Sequence, residues 1–368
     1  MVVIIGTTHH NTLSMVRSFG LAGEKVDVIL HDGRRDSYVL KSKYIEKAFV
    51  EQNERDAYEC LLRNYPSAIV IASSDAIASL MDRNLETIKE KFKFFNCGEQ
   101  GLLTRYMDKE YQTRLAQSAG IETPKTKMYE VGGDFPKDVE YPCILKPLES
   151  INGGKKIKVC HNDYELTAAA SAFENGSKIL IQQFIIKDYE IVLAGVRVNG
   201  RTVIPGYVHK HRDRLGGTTY STVYPISKLP VSVTESCHKL VDAMNYEGLF
   251  GIELMVKDGR FYFVEINLRN DATTYAMTIA GCNVPLIYSQ VVNDHNVVPD
   301  IQPIREIDSM VEFPDILFAI KGRVPFLKWL KQRNSCECLY FKSKEDITPY
   351  YSARNGFVKD LVKRICHL

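Results

Sequence analysis

Across residues 248–269, apolar and polar positions alternate on both sides of an Asp258-Gly259 dipeptide, in the run GLFGIELMVKDGRFYFVEINLR. β-Branched and aromatic residues flanking Asp-Gly predict two strands joined by a hairpin turn. Two carboxylates, Glu253 and Glu265, sit inside these otherwise apolar strands, and Asn267 and Arg269 follow the second at steps of two. Period two places Glu265, Asn267 and Arg269 on one face of an extended strand. Whether Glu253 joins them depends on the turn. A two-residue loop pairs 253 with 264 and sends the carboxylates to opposite faces. A three-residue loop over 257–259, with Gly259 left-handed in a bulge, pairs 253 with 263 and brings them to one face. The bulged form is expected. Under it Ile252, Leu254, Val256, Tyr262, Val264 and Ile266 make a continuous apolar face, and Met255, Phe261 and Phe263 share the polar one.

Toward the N-terminus the apolar runs are separated by helical patterns. Residues 2–5 read as a buried strand, followed by a polar loop over 6–11 and a helix with Met15, Val16 and Phe19 on one face. Strands follow at 26–30 and 68–71, then a helix after Asp75 and a strand near Phe94. Strand, helix, strand implies right-handed parallel crossovers. Residues 1–104 are therefore expected to form a small doubly wound domain. Such sheets bind ligands at the carboxyl ends of their strands. His9, His10 and Asn11 stand at one such end, and Ser73, Ser74 and Asp75 at a later one. Two readings stay open for them: substrate contact, or a polar helix start with Asn11 as its cap. The 6–11 loop lacks Gly-x-Gly-x-x-Gly, which argues against a dinucleotide.

Further along, Asp108-Lys109 opens a helix that ends at Gly120. Lys146 lies in a short buried strand, and buried lysines are rare unless paired, so it invites an anion. The segment from Ser150 through Gly153, Gly154 and Lys155 follows; glycines let main-chain N–H groups approach phosphate. It is not a Walker A loop. A strand over 179–185 carries Gln182, Gln183, Phe184 and Ile185 and leads to Glu190. After a strand at 203–207, a basic segment over 208–214 precedes Gly216-Gly217 and hydroxyl residues; it either clamps phosphate and carboxylate or is a solvated loop. A helix over 233–245 leads into the hairpin, and a loop and helix over 271–281 follow it. At the C-terminus an amphipathic helix is expected over 315–331, a strand over 337–341 and a basic amphipathic helix over 355–365 that docks on the body.

Composition narrows the class. The chain has 368 residues, a 45% apolar content and a net charge of +2, which fits a globular protein of two or three domains. So small a charge gives no general argument for nucleic acid or a membrane surface. No apolar run is long enough for a membrane span, and the start lacks a basic signal-peptide region. Nine scattered cysteines without a Cys-x-x-Cys pair argue against disulfides and zinc, and for a reducing, cytoplasmic setting.

Two carboxylates and an amide oxygen side by side repel unless a cation lies between them, and oxygen ligands suit Mg²⁺ shared with substrate phosphates; the alternative is a pair of solvated acids on an exposed edge strand. Glu253 followed by Glu265-Ile266-Asn267-Leu268-Arg269 resembles the metal-binding hairpin of the ATP-grasp superfamily, and the likeness extends over most of residues 1–300. It implies an α/β and α+β chain: a parallel-sheet pre-ATP-grasp domain (1–104), a linker helix and lid (105–185), a catalytic antiparallel subdomain (186–300) and an extension packed on the body (301–368). The N-terminal domain and the tail resemble carboxylate–amine ligases of the D-aspartate ligase type. In this resemblance Glu253, Glu265 and Asn267 hold one or two Mg²⁺ ions, with Mn²⁺ as a substitute. Lys109 and Lys146 reach the ATP phosphates, and Ser150, Gly153 and Gly154 cover them. Gln182, Gln183, Phe184 and Ile185 read adenine, Glu190 binds ribose, and Met255 packs on the base. Gln182-Gln183 stands where many members have Glu-Lys. Arg269 and Lys210 contact the transferred phosphoryl group. The implied reaction activates a carboxylate as an acyl phosphate and couples it to an amine. His209 and His211 are the candidate general bases. A biotin-carboxylase or carbamoyl-phosphate-like enzyme acting on bicarbonate is the alternative within the fold, and a non-catalytic ATP-binding regulator the alternative outside it. Partners are small molecules, with a homodimer the assembly common in the family.

Overall fold

The computed structural model describes residues 1–147, 157–214, 217–299 and 301–366. Strands β1 (Val2–Gly6), β2 (Val26–Leu30), β3 (Ile45–Val50), β4 (Ala68–Ala72) and β5 (Phe92–Lys93) form a parallel sheet in the order β3-β2-β1-β4-β5. Every residue of β1, β2 and β4 is buried, as Val/Ile runs demand of a sheet covered on both faces. The edge strand β3 was not expected. Its Glu46 and Lys47 are exposed, so it lacks the apolar run that marks its neighbours.

A second, antiparallel sheet contains β6 (Thr126–Glu130), β7 (Cys143–Pro147), β8 (Lys158–Cys160) and β9 (Lys178–Gln183), ordered β6-β9-β7-β8. It has its own apolar cluster, including Tyr129, Leu145, Leu166 and Ile181. The third sheet is the largest: β10 (Tyr189–Val198), β11 (Arg201–Arg214), β12 (Gly217–Pro225), β13 (Gly248–Lys257), β14 (Arg260–Asn267), β15 (Ile307–Met310) and β16 (Cys338–Leu339). Its order is β14-β13-β10-β11-β12-β15-β16. The basic segment 208–214 is thus part of β11 and not a loop. Pairing with β10 on one side and β12 on the other holds these weak strand formers extended.

The C-terminal segment departs from expectation. The single helix over 315–331 is two helices, Glu312–Ile320 and Phe326–Ser335. Gly322, left-handed at φ 68°, ends the first, and Pro325 caps the second. The expected strand over 337–341 shrinks to β16, and the last helix, Thr348–Cys366, starts earlier than expected. Among the described residues no helix is long and apolar enough to cross a membrane, and the cysteines from Cys60 to Cys338 are free and buried.

One buried ion pair fastens this segment to the first sheet's helix, His10–Leu21. Arg17 is fully buried. Its Nε donates to Asp346 Oδ2 at 3.0 Å, and its NH groups donate to the carbonyls of Tyr340, Phe341 and Asp346. Asp346 also accepts from Ser42 Oγ and Lys43 N. Removing one member of such a pair strands the other charge in the interior. Arg17→Met is expected to lower stability by about 3–5 kcal/mol in urea unfolding. Pairing it with Asp346→Leu should return part of that loss; a single variant as stable as the parent would contradict the role given to this pair.

Candidate active site

The hairpin turns on two residues, not three. Asp258 and Gly259 have φ of 49° and 74°, and Lys257 pairs with Arg260. Two positive φ values define a type I′ turn, which Asp-Gly favours. The extra residue lies in the strand instead. Glu253 pairs with Glu265 and Leu254 with Phe263, leaving Val264 as the bulge. The expected pairing of 253 with 263 is therefore wrong, although the two carboxylates do share a face and stand directly opposite. Beyond the bulge the faces also differ from expectation. Phe263 and Phe261 pair with Leu254 and Val256 on the core side, whereas Tyr262 pairs with Met255. The main chain of Glu122 pins the bulged edge by accepting from Phe263 N at 2.7 Å.

Each member of the polar face already has a cation or guanidinium on it. Lys210 Nζ lies 2.6 Å from Glu253 and 3.2 Å from Glu190, and its side chain is only 6% exposed. Burial opposes its charge, but the two carboxylates outweigh burial and raise its pKa to about 12. Burial pushes the Glu253 carboxyl upward, against the pull of Lys210. We take the pair as ionised, because the ammonium is shared with a second carboxylate. Lys109 Nζ is 3.1 Å from Glu265. Arg269 donates to Asn267 Oδ1 at 3.1 Å and to Asp75 at 2.9 Å. Three separate elements therefore supply positive charge to one acid-lined surface. β11 places Lys210, the helix Lys109–Ser118 presents Lys109 at its first position, and the exit of β14 carries Arg269.

The residues expected to meet a nucleotide lie beside this surface or lead to it. Glu190 faces both Lys210 and Met255 across the ladders. Burial would raise its pKa, yet Lys187 and Lys210 hold it lowered. Lys146 donates to Gln182 Oε1 at 3.0 Å, and its pKa is lowered by burial and by Lys109 nearby. Gln183 Nε2 reaches Glu140, and Phe184 N donates to Pro142 O at 3.0 Å. Strand β9 ends at Gln183, so Phe184 and Ile185 lie in the link to β10. Ser150, Gly153 and Gly154 lie outside the described residues.

A cavity of about 350 Å³ opens between this surface and the carboxyl ends of β1 and β4. His9, His10, Ser73, Asp75, Asp271 and Tyr340 are on its wall, with Lys210, Glu253, Glu265, Asn267 and Arg269. The helix cap is His9, not Asn11: its Nδ1 accepts from Asn11 N at 3.1 Å. The Asn11 side chain is buried and paired with Asn270, donating to Asn270 O at 2.9 Å while Asn270 Nδ2 donates back to Asn11 Oδ1. That exchange fastens the residue after Arg269 to the first sheet. It carried no sequence signal, and neither did Tyr340 of the C-terminal segment. His209 and His211 are not on the wall. His209 alternates with Lys210 on β11 and faces the other side, stacking on Tyr189 at 4.3 Å; His211, at an irregularity between Lys210 and Arg212, stacks on His209 at 4.8 Å and bonds Thr222.

Burial, then the neighbouring His9, holds the His10 pKa well below its ordinary 6.5. Above pH 6.5 both folded and unfolded chains keep it neutral; below, only the unfolded chain takes the proton. Stability is therefore lost as pH falls from 6.5 toward the lowered folded value. The melting temperature should fall between about pH 7.5 and about pH 5.5, and less steeply in His10→Phe. The same slope in both proteins would count against a neutral, desolvated His10.

The ATP-grasp domain family model matches residues 109–286. The chain is 28% identical over 214 residues to the formate-dependent phosphoribosylglycinamide formyltransferase of Bacillus subtilis (strain 168), covering 55% of this chain and 54% of that one. It is 32% identical over 142 residues to the protein of the same name from Geobacter metallireducens, covering 36% and 35%. The chain thus spans between about a third and just over half the length of these relatives. N5-carboxyaminoimidazole synthetase from Staphylococcus aureus, complexed with ADP, matches with a TM-score of 0.65 at 15% identity over 88% of this chain and 85% of that one. At that identity the likeness speaks for the fold. A parallel-sheet domain, a small antiparallel sheet and a large sheet bearing an acidic hairpin make up the fold shared with that structure. Residues 109–286 match the ATP-grasp domain, which is the part of the chain that this family describes.

Proposed function

We propose that this chain is an ATP- and Mg²⁺-dependent ligase of the cytoplasm, forming an acyl phosphate from a carboxylate and passing the acyl group to an amine. The observation that carries this reading is the face on which Glu253, Glu265 and Asn267 meet Lys210, Lys109 and Arg269. The names of the relatives are in keeping with it, since formate is a carboxylate and glycinamide an amine.

The donor set fits Mg²⁺ in one particular way. Among the described residues no group of three His, Cys, Asp or Glu side chains could hold a metal alone. Two carboxylates and an amide oxygen leave positions for phosphate oxygens, which is how Mg²⁺ is commonly held. The Lys210 ammonium on Glu253 shows that the site balances its acids with a cation. Glu253, Glu265 and Asn267 would hold the metal, which when bound neutralises the polyphosphate.

Metal and nucleotide would then enter by exchange of partners. Lys210, Lys109 and Arg269 leave carboxylates or the amide and turn to phosphate oxygens. Lys146 adds a further charge, and Glu190 and Met255 meet the nucleoside. Phosphoryl transfer needs mainly such positioning and electrostatic stabilisation. The small antiparallel sheet of β6, β9, β7 and β8 would serve as a lid that excludes water, which would otherwise hydrolyse the acyl phosphate.

Two outcomes follow. Substrate-dependent ADP release should fall by about 10²-fold or more in Glu265→Gln and in Arg269→Ala, with melting temperatures close to the parent. Full turnover in both would exclude this site. In titrations followed by electron paramagnetic resonance, Mn²⁺ alone should bind weakly and a non-hydrolysable ATP analogue should tighten it by about tenfold or more. Lys210→Met should tighten Mn²⁺ binding in the absence of nucleotide, because Glu253 loses its internal partner. Equal Mn²⁺ affinity with and without the analogue would contradict the exchange.

A further inference from the structure

His9 is held in one tautomer by its place at the start of a helix. The Asn11 backbone N–H can only donate, so His9 Nδ1 must accept it, at 3.1 Å. In a neutral ring the hydrogen is then on Nε2. Its pKa is lowered, by burial first and by the Arg269 guanidinium next, with Asp271 opposing, which favours the neutral ring. His9 and Arg269 are on the wall of one cavity, together with Glu253 and Glu265. In this tautomer Nε2 carries a hydrogen to give and has no lone pair to take one, which separates the ring from a general base.

We infer that His9 is a catalytic hydrogen-bond donor in the second half-reaction, where its Nε2–H and Arg269 hold the oxygen that becomes negative as the amine attacks. The inference rests on the ligase reading above. In that step the amine nitrogen forms a bond to the acyl carbon, and the carbonyl electron pair moves onto oxygen. The tetrahedral species then collapses, the C–O bond to phosphorus breaks with its electrons, and inorganic phosphate leaves with the nitrogen's proton. A neutral N–H beside a guanidinium suits this task, because a preorganised donor costs no reorganisation when charge develops.

Capping and donation can be separated by substitution. Serine and aspartate cap a helix as well as histidine does but offer no N–H. Asparagine caps through its oxygen and retains an N–H₂ donor. We would supply MgATP, hydroxylamine as the amine, and in turn formate, acetate and each of the twenty standard amino acids as the acid, and read both ADP and hydroxamate. His9→Ser and His9→Asp should keep the parent melting temperature and ADP formation within about threefold. Their hydroxamate yield per ADP should fall by about tenfold or more, since the acyl phosphate forms and is lost to water. His9→Asn should regain part of that yield. An unchanged ratio in His9→Ser and His9→Asp would overturn the inference, as would an equal loss of ADP and hydroxamate, which would move His9 to the first step. A parent protein that makes neither product from any acid would overturn the ligase reading itself.

Discussion

One extra residue, Val264, decides what this molecule can do. By bulging out of β14 it sets Glu253 directly against Glu265, where a regular two-residue hairpin would have turned them to opposite faces. Like charges facing each other across a ladder are unfavourable. The surrounding fold meets that cost with cations from two distant stretches, at positions 109 and 210, while Arg269 at the exit of β14 holds Asn267 beside them. The acid pair and its counter-charges are a single electrostatic unit, and a nucleotide with its metal is the partner that could take over both halves at once.

The elements around this unit are tied together at places remote from the hairpin. The Asn11–Asn270 amide pair joins the first sheet to the chain just beyond Arg269. Arg17 and Asp346 join the first sheet's helix to the C-terminal segment, which brings Tyr340 to the cavity. Strands β15 and β16 extend the large sheet beyond β12. The C-terminal segment is therefore a wall of the site, with Ser309 and Val311 lining the same cavity.

The acids were legible in the sequence because charges inside apolar strands are conspicuous, and the parallel sheet because its Val/Ile runs are. The position of the bulge was not. Val264 resembles its neighbours, and what pins the register is the carbonyl of Glu122, far away in the chain. The sides taken by His209 and His211 follow from β11 continuing to Arg214, where alternation opposes His209 to Lys210 and stacking carries His211 with it. The break between the helices Glu312–Ile320 and Phe326–Ser335 falls at Gly322 and Pro325, inside a stretch whose apolar period reads as one helix. Contacts such as Arg17 with Asp346, 329 residues apart, leave no local trace at all.

The central claim is spatial, and anomalous scattering from crystals grown with Mn²⁺ and ADP tests it most directly. The account predicts a manganese peak between the carboxylates of Glu253 and Glu265, within reach of Asn267 and of the nucleotide's phosphates. Bound ADP with its manganese elsewhere, or bound ADP with no manganese peak at that face, would contradict it.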